Sequence, residues 1–381
     1  MLNRSFAKPR RAFGDPVELP KQHARFEPPP FTNYVNLNLP LDIVLPGIDN
    51  SIQQSQQLVF HTVGDTGGIA DGAVTQSEIA KAMEEQITSA ADADKPIFFY
   101  HLGDVVYFNG ESSMYPEQFY EPYQYYPNPI FAIPGNHDGD THVQPGDAPD
   151  TEKSLTGFMQ NFCDSQPRHN SPYRETMTQP YVYWTLEAPF ATIIGLYSNV
   201  DGLLDGRGTN EQQRWLQDQL ASAPIDKCLI VAVHHPPYSL DTAHGGYSDI
   251  GSALDRAMQI SGRNVDIVFS GHVHSYQRFT RVKDNYQIPY VIAGAGGYAH
   301  TSRALHKLQA DANKQPIQPP FQTTLPDVSL QAANTEEPGY LRITVNAQTL
   351  TGEYYLVPFQ GDPPAAPVDV FTLDWKQHTL N

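Results

Sequence analysis

Apolar residues along the chain are gathered into short runs that polar segments separate. Runs of four to seven residues rich in Val, Ile, Phe, Leu and Tyr predict strands at 57–63, 97–102, 130–133, 181–186, 191–196, 228–233, 265–269, 290–293, 340–345 and 350–356. Between several of these runs, apolar residues three or four positions apart predict helices that begin near residue 75 and cover 210–221 and 250–260. Alternating strands and helices predict a layered α/β domain, to which the strand-rich later part of the sequence adds antiparallel pairing.

Segments outside this pattern divide the chain. Residues 1–55 are rich in proline and predict an extended N-terminal arm, residues 56–358 hold the pattern of one large domain, and residues 359–381 form a C-terminal tail. Two stretches inside the domain, 139–180 and 300–337, are rich in Pro, Asp, Gln and Thr and predict long loops. The first of these loops fits either packing on the surface or a lid on the substrate side.

Composition and charge narrow the class of partner. The 381 residues include 24 Lys and Arg against 42 Asp and Glu, which gives a net charge of −18. Such a surface repels nucleic acid and anionic membranes, so we expect no nucleic-acid and no membrane partner. Two cysteines, Cys163 and Cys228, are too few for a disulfide framework, and no apolar run approaches the ~18 residues of a membrane span. No apolar segment follows the basic N-terminus, which favours the cytoplasm and leaves export open.

Polar residues of metal-binding type follow five of the predicted strands, at the point where each strand ends. The five segments run from Gly64 to Gly67, Gly103 to Tyr107, Gly135 to Asp138, Val231 to His235 and Gly271 to His274. The carboxyl ends of parallel strands are where α/β sheets place their ligands. Asp, His, Asn and Tyr suit a hard or borderline metal ion, and the absence of Cys excludes a structural zinc finger. One segment alone fits an ordinary turn, but five in this order predict a metal site.

These five segments resemble the signature of the metallophosphoesterase (calcineurin-like) superfamily, and their variants resemble its purple acid phosphatase branch. The first segment reads Gly-Asp-x-Gly, with Gly67 where most relatives carry a histidine. Tyr107 follows Asp104 by three residues, and the fourth segment fits the pattern Val-x-x-His. The resemblance covers about residues 57–357. It implies a layered β-sandwich flanked by helices, with a dinuclear metal site at the strand ends.

The resemblance also implies how the ligands divide between two metal ions. One ion would be held by Asp65, Asp104, Tyr107 and His274. Asp104 would bridge to a second ion, which would be completed by Asn136, His234 and His272. A tyrosine ligand favours Fe(III) at the Tyr107 site, and the second ion would be Fe(II), Zn or Mn. The alternative for Tyr107 is an ordinary packed tyrosine, because several tyrosines crowd after it.

Further residues would face the substrate. His137 matches the family histidine that contacts the phosphate and protonates the leaving group, and Asp138 would fix the tautomer of His137. His244 resembles a second histidine on the phosphate side, with an exposed loop histidine as the alternative. We expect Arg278 to be a structural ion-pair partner. The aromatic run 108–126 could stack a nucleoside or phenyl leaving group, although packing against the Pro-rich arm is the simpler explanation.

The implied activity is metal-dependent hydrolysis of small phosphate monoesters, as in acid phosphatases. Hydroxide bound to a dinuclear centre would attack phosphorus in line. A phosphodiesterase of cyclic nucleotides or small diesters is the main alternative, because the same metal ligands are compatible with hydrolysis of monoesters and of diesters. A catalytically silent binding scaffold is the second alternative, but such a protein is expected to lack a ligand and all seven are present. The physiological ester, the second metal and the oligomeric state stay open.

Overall fold

The computed structural model describes residues 13–18, 25–32, 36–68, 72–141, 152–298, 305–311 and 313–381. Within these ranges the strands are β1 (Val17–Glu18), β2 (Asn38–Pro40), β3 (Leu58–Val63), β4 (Phe99–His101), β5 (Ile130–Ala132), β6 (Trp184–Ala188), β7 (Ala191–Leu196), β8 (Cys228–Val233), β9 (Gly246–Tyr247), β10 (Ile267–Ser270), β11 (Tyr276–Lys283), β12 (Tyr286–Ala293), β13 (Phe321–Gln322), β14 (Val328–Asn334), β15 (Gly339–Val345), β16 (Thr349–Leu356), β17 (Asp369–Asp374) and β18 (Thr379–Leu380). The α-helices are α1 (Leu41–Val44), α2 (Ile48–Ser55), α3 (Gly72–Ser89), α4 (Asn136–Gly139), α5 (Thr156–Phe162), α6 (Glu211–Ser222) and α7 (Ser248–Ser261).

Two large sheets form the body of the fold. Sheet A has nine strands in the order β13-β14-β11-β12-β10-β8-β7-β6-β2, and sheet B has seven in the order β18-β17-β16-β15-β3-β4-β5. The run β12-β10-β8-β7 is parallel in sheet A, as is β3-β4-β5 in sheet B. Strands β11, β15 and β16 pair antiparallel with their neighbours. The predicted fold class, a layered α/β sandwich flanked by helices, is confirmed.

Strand β8 shows why the two sheets pack face to face. Successive side chains of a strand point to opposite faces. One set lies in the core shared by both sheets, which also holds Phe60 of β3: Cys228, Ile230 and Ala232. The other set lies in a second core with Leu216 of α6 and Leu254 of α7: Leu229, Val231 and Val233. Because both faces are buried, the sequence of β8 is an unbroken apolar run rather than an alternating one.

Three segments that the sequence predicts to be a tail, a loop and an arm contain regular structure. The expected tail 359–381 contributes β17 and β18 to sheet B, because Phe371 and Leu373 are buried on alternate positions. The expected loop 300–337 contains β14, which pairs with β11 in sheet A. The described part of the expected arm 1–55 includes α1 and α2 besides two short strands. In each case pairing or packing with residues that are distant in sequence stabilises an element that the local pattern of apolar residues does not indicate.

The parallel strands of both sheets lead to one place. Strands β3, β4 and β5 end just before Asp65, Asp104 and Asn136, while β8 and β10 end just before His234 and His272. Backbone hydrogen bonds join the sheets there, including one from the Gly64 N–H to the Ala293 oxygen at 2.8 Å. The candidate ligands therefore meet at the carboxyl ends of the strands, between the sheets.

Arg278 and Cys228 both have structural roles in the fold. Arg278 forms the expected ion pair, with two hydrogen bonds to Asp369 at 2.8 and 2.9 Å. Cys228 is a buried core residue of β8. In the part of the chain that the structure describes, no helix has both the length and the apolar character to cross a membrane.

Candidate metal centre

The first group of predicted ligands surrounds the hydroxyl of Tyr107. This oxygen lies 3.4 Å from Asp65 Oδ1, 3.2 Å from Asp104 Oδ2 and 3.4 Å from His274 Nε2. His274 Nε2 also lies 3.5 Å from Asp65 Oδ1. All four side chains are buried. The structure thus brings together the four residues that the family resemblance assigns to the first ion.

The second group surrounds the amide oxygen of Asn136. Asn136 Oδ1 lies 3.1 Å from His234 Nε2 and 2.8 Å from His272 Nδ1. His234 Nε2 is also 3.3 Å from Asp104 Oδ2. The same carboxylate oxygen is therefore close to both groups, which is the position of a bridging ligand. Donor atoms of Asp104, His234 and His272 all lie within 4.8 Å of one another.

The donor set fits metal ions. Two ligands bound at about 2.0–2.2 Å and about 90–110° apart are separated by about 2.8–3.6 Å. The contacts around the Tyr107 hydroxyl, at 3.2–3.4 Å, match this spacing and are longer than ordinary O–H···O hydrogen bonds of about 2.7 Å. Carboxylate, phenol, amide and imidazole donors are those that iron, zinc and manganese accept. The seven residues could hold two ions, with Asp104 shared between them.

Tight backbone turns aim these ligands. Asp65, Asp104 and His272 have positive φ angles of 58°, 53° and 65°, a region that non-glycine residues seldom occupy. Gly67 makes room for the tyrosine, because a Cβ there would lie 2.7 Å from Tyr107 Cδ2. The glycine that replaces the usual histidine and the additional Tyr107 are thus linked by direct contact. Strained turns of this kind concentrate at functional sites.

Burial sets the protonation of the donors. It lowers the pKa of His274 to about 4, and together with the neighbouring His235 it lowers the pKa of His272 well below the usual range. Both rings are therefore neutral at pH 7 and offer a lone pair. Burial raises the pKa of Asp65 well above its usual range, although His234 opposes the shift. Metal binding would have to displace any proton held on these groups.

Asp104 and His234 behave as an ion pair. Burial alone would raise the pKa of Asp104, but the charges of His234 and His137 hold it below its usual range. Burial opposes protonation of His234, yet Asp104 raises the His234 pKa to about 9. His234 Nδ1 donates to the Leu102 oxygen at 2.8 Å, so Nε2 is the ring atom left for a metal.

His137 is held by a different partner from the one that the sequence suggests. Its Nδ1 donates to the Phe108 carbonyl oxygen at 2.7 Å, and this bond fixes its tautomer. The Asp138 carboxylate instead accepts backbone N–H groups of Gly135, Val105 and Val106 at 2.8–3.2 Å. The prediction that Asp138 sets the tautomer of His137 is wrong, because the buried Asp138 carboxylate is occupied by these backbone N–H groups. Burial, helped by Asp104, raises the pKa of Asp138 to about 7.

His244 lies beside the ligands rather than away from them. Its ring centroid is 4.3 Å from that of His272, and its backbone N–H donates to Asp241 Oδ2 at 2.7 Å. His306, which sequence reasoning missed, stacks on His274 at 4.4 Å, and its Nδ1 accepts the His274 N–H at 3.1 Å. A single histidine in a Pro- and Gln-rich stretch carries no sequence signal for this contact.

Two tyrosines were also missed. The Tyr247 hydroxyl lies 2.8 Å from His272 Nε2, on the opposite side of the ring from Asn136. Tyr298 stacks on Tyr107 with ring centroids 4.1 Å apart. Tyr298 follows the Gly296–Gly297 turn, a signal that could have marked it as a site residue. Tyr247 lies in β9, which pairs with β1 from the N-terminal segment.

Comparisons with known proteins find similar sequences and folds. Purple acid phosphatase 22 of Arabidopsis thaliana is 30% identical over 148 residues, which are 36% of this chain and 32% of that protein. The probable glycerophosphodiester phosphodiesterase GpdQ of Arcobacter nitrofigilis is 26% identical over 182 residues, which are 47% of this chain and 57% of that protein. The chain spans about a third of the length of the curated purple acid phosphatases that it first matches.

A solved structure extends the likeness to most of the chain. The purple acid phosphatase PPD1 from yellow lupin (Lupinus luteus) seeds superposes with a TM-score of 0.57 at 20% identity. The superposition covers 84% of this chain and 55% of that one, and at this identity it shows a shared fold. A family model described as calcineurin-like phosphoesterase matches residues 58–276. Since that match covers more than half of the chain, the chain belongs to the calcineurin-like phosphoesterase family.

Proposed function

We propose that the chain is a phosphomonoesterase of the acid phosphatase type that works with two metal ions. The position of Asp104 Oδ2 carries the proposal, because this oxygen lies 3.2 Å from the Tyr107 hydroxyl and 3.3 Å from His234 Nε2. It thereby joins two donor groups as a bridging carboxylate would. We assign Fe(III) to the Tyr107 group and Fe(II), Zn or Mn to the Asn136 group, since a phenol ligand favours the ferric ion.

The residues of the chain divide the work of hydrolysis. When bound, the two ions would supply positive charge for the phosphate oxygens and lower the pKa of a water molecule to near neutrality. The Phe108 oxygen holds one His137 proton on Nδ1, so Nε2 is the atom that would act as the acid: a second proton carried there would pass to the leaving oxygen and give the alcohol. His244 lies beside His272, where it would contact the phosphate. Asp138 holds in place the turns that carry Asp104 and Asn136.

The preference for monoesters rests on the branch-specific residues. The pairing of Gly67 with Tyr107 is the feature that resembles purple acid phosphatases, and several curated relatives carry that name. A small phosphate ester is the substrate that such a centre would take. The net charge of −18 argues against a long anionic polymer, which would be repelled.

A phosphodiesterase is the second candidate. The likeness to a probable glycerophosphodiester phosphodiesterase, which covers more than half of that protein, favours it. The donor groups are compatible with either ester, because both reactions need positive charge close to the phosphate oxygens.

Two chromogenic esters separate these candidates. Hydrolysis of para-nitrophenyl phosphate and of bis(para-nitrophenyl) phosphate would be compared on metal-loaded protein from about pH 5 to 8. We expect the monoester to be hydrolysed faster, and a faster diester would establish the phosphodiesterase. Hydrolysis of neither ester would favour a silent scaffold. His137→Ala should lower the rate by about 10²–10⁴-fold, while the exposed His169→Ala serves as the matched control.

A further inference from the structure

Aromatic rings line one side of the candidate metal centre. Phe108 is 40% exposed, although it directly follows the buried Tyr107. Tyr298 is partly buried and stacks on Tyr107, and its ring is nearly perpendicular to Phe108 at a centroid distance of 6.1 Å. Phe108 and Tyr298 therefore form an apolar surface with two differently oriented rings, which we call the aromatic corner.

The aromatic corner adjoins the histidine that would protonate the leaving group. The ring of His137 is 5.9 Å from that of Phe108 and 4.5 Å from that of Tyr107. Because the Phe108 carbonyl oxygen also accepts a hydrogen bond from His137 Nδ1, His137 stays beside the residue that carries the Phe108 ring. An alcohol that leaves beside Nε2 would pass next to the Phe108 ring.

The rest of the aromatic run 108–126 has other roles. Its core members are buried and cannot meet a ligand: Tyr115, Phe119, Tyr120, Tyr123 and Tyr126. Tyr125 is 71% exposed but lines a separate cavity of about 480 Å³ with Lys81 and Glu84. Among the tyrosines and phenylalanines of the run, Phe108 alone combines exposure with a position at the metal centre.

We propose that the aromatic corner binds a planar aromatic ring on the leaving alcohol of a phosphate monoester. The inference rests on the proposed function and names its substrate class. The ring would belong to a nucleobase or to an aryl group, since both offer the same flat π-face. Aromatic side chains stack on such rings or meet them edge to face, and stacking does not depend on the identity of the base. A saturated ring of similar size has no such face.

Two matched pairs of esters test the inference. The first pair is adenosine 5′-monophosphate and ribose 5-phosphate, and the second is benzyl phosphate and cyclohexylmethyl phosphate. Each pair has similar leaving alcohols and differs in the flat ring, so the ratio of kcat/KM within a pair isolates the contribution of that ring. We expect the chain to favour the aromatic member in at least one pair. Phe108→Ala should reduce that ratio about tenfold, and Phe108→Tyr, which keeps the ring, should preserve it.

A control variant and the two pairs of esters separate the possible results. Tyr125→Ala removes an exposed ring of the same run that lines a different cavity, and it should leave both ratios unchanged. A reduced ratio in the nucleotide pair identifies a nucleobase site, and one in the benzyl pair identifies an aryl site. Ratios that stay within twofold in Phe108→Ala overturn the inference while the proposed function stands. If none of the four esters is hydrolysed, the proposed function fails and the inference fails with it.

Discussion

Removing the Tyr247 hydroxyl should weaken metal binding without disturbing the fold. His272 Nδ1 faces Asn136 at 2.8 Å, and His272 Nε2 faces the Tyr247 oxygen, also at 2.8 Å. If a metal occupies Nδ1, the ring proton must sit on Nε2, and the Tyr247 oxygen accepts it. In Tyr247→Phe that buried N–H would lose its acceptor in the metal-bound state. Without metal, the proton can stay on Nδ1, where Asn136 accepts it.

The size of the effect follows from this difference between the two states. A buried donor left unpaired costs about 1–3 kcal/mol. Loss of the hydrogen-bond partner of a metal-binding histidine commonly lowers metal affinity by about 10–100-fold, or about 1.4–2.7 kcal/mol. We therefore expect Tyr247→Phe to raise the dissociation constant of the ion at the Asn136 group by that factor.

Competition with a chelator of known affinity, monitored by metal analysis, measures this change. Tyr100→Phe is the matched control, because Tyr100 is buried and its hydroxyl has no hydrogen-bond partner among the described residues. Circular dichroism should show the same fold for both variants. An affinity in Tyr247→Phe within twofold of the unsubstituted chain would refute the assignment of His272 Nδ1 as a ligand held by Tyr247.

Two other variants test Tyr107 as a ligand of Fe(III) and His61 as a source of instability in acid. Tyr107→Phe should abolish the visible charge-transfer absorption of iron-loaded protein, and a band that persists would show that the phenol does not bind Fe(III). Burial lowers the pKa of His61 from 6.5 to about 3, so this ring stays neutral in the folded chain while the unfolded chain takes up a proton below 6.5. His61 should therefore subtract about 2 kcal/mol from the free energy of unfolding as the pH falls to 5. His61→Gln should remove this contribution from acid unfolding curves, and an unchanged pH slope would contradict it.

Much of the fold is predictable because its central strands are buried on both sides. The continuous apolar run of β8 marks it as a strand that helices and a second sheet must cover. Strands β14 and β17 escaped prediction, since each is only half-buried and lies in polar, Pro-rich sequence. Their pairing partners are far away along the chain, and a local pattern does not contain that information.

Some residues of the candidate site are likewise predictable from the sequence, and others are not. Residues such as Asp65 and Asp104 follow predictable strands, so their convergence can be expected from sequence. The contacts of His306 and Tyr247 depend on how distant segments fold over the ligands, and neither lies in a recognisable motif. The residue that fixes the tautomer of His137 was predicted wrongly. The actual partner is the backbone carbonyl of Phe108, and because every residue has a carbonyl, the sequence does not indicate which one accepts the bond.

The metal content of the chain tests whether Asp104 bridges two ions. Mass spectrometry of dialysed, metal-loaded protein would count ions per chain in the unsubstituted protein, in Asp104→Asn and in the exposed control Asp92→Asn. We predict about two ions in the unsubstituted chain and in the control, and fewer than one in Asp104→Asn with an unchanged circular dichroism spectrum. Two ions retained by Asp104→Asn, or fewer than one in the unsubstituted chain, would show that Asp104 does not bridge a pair of metal ions.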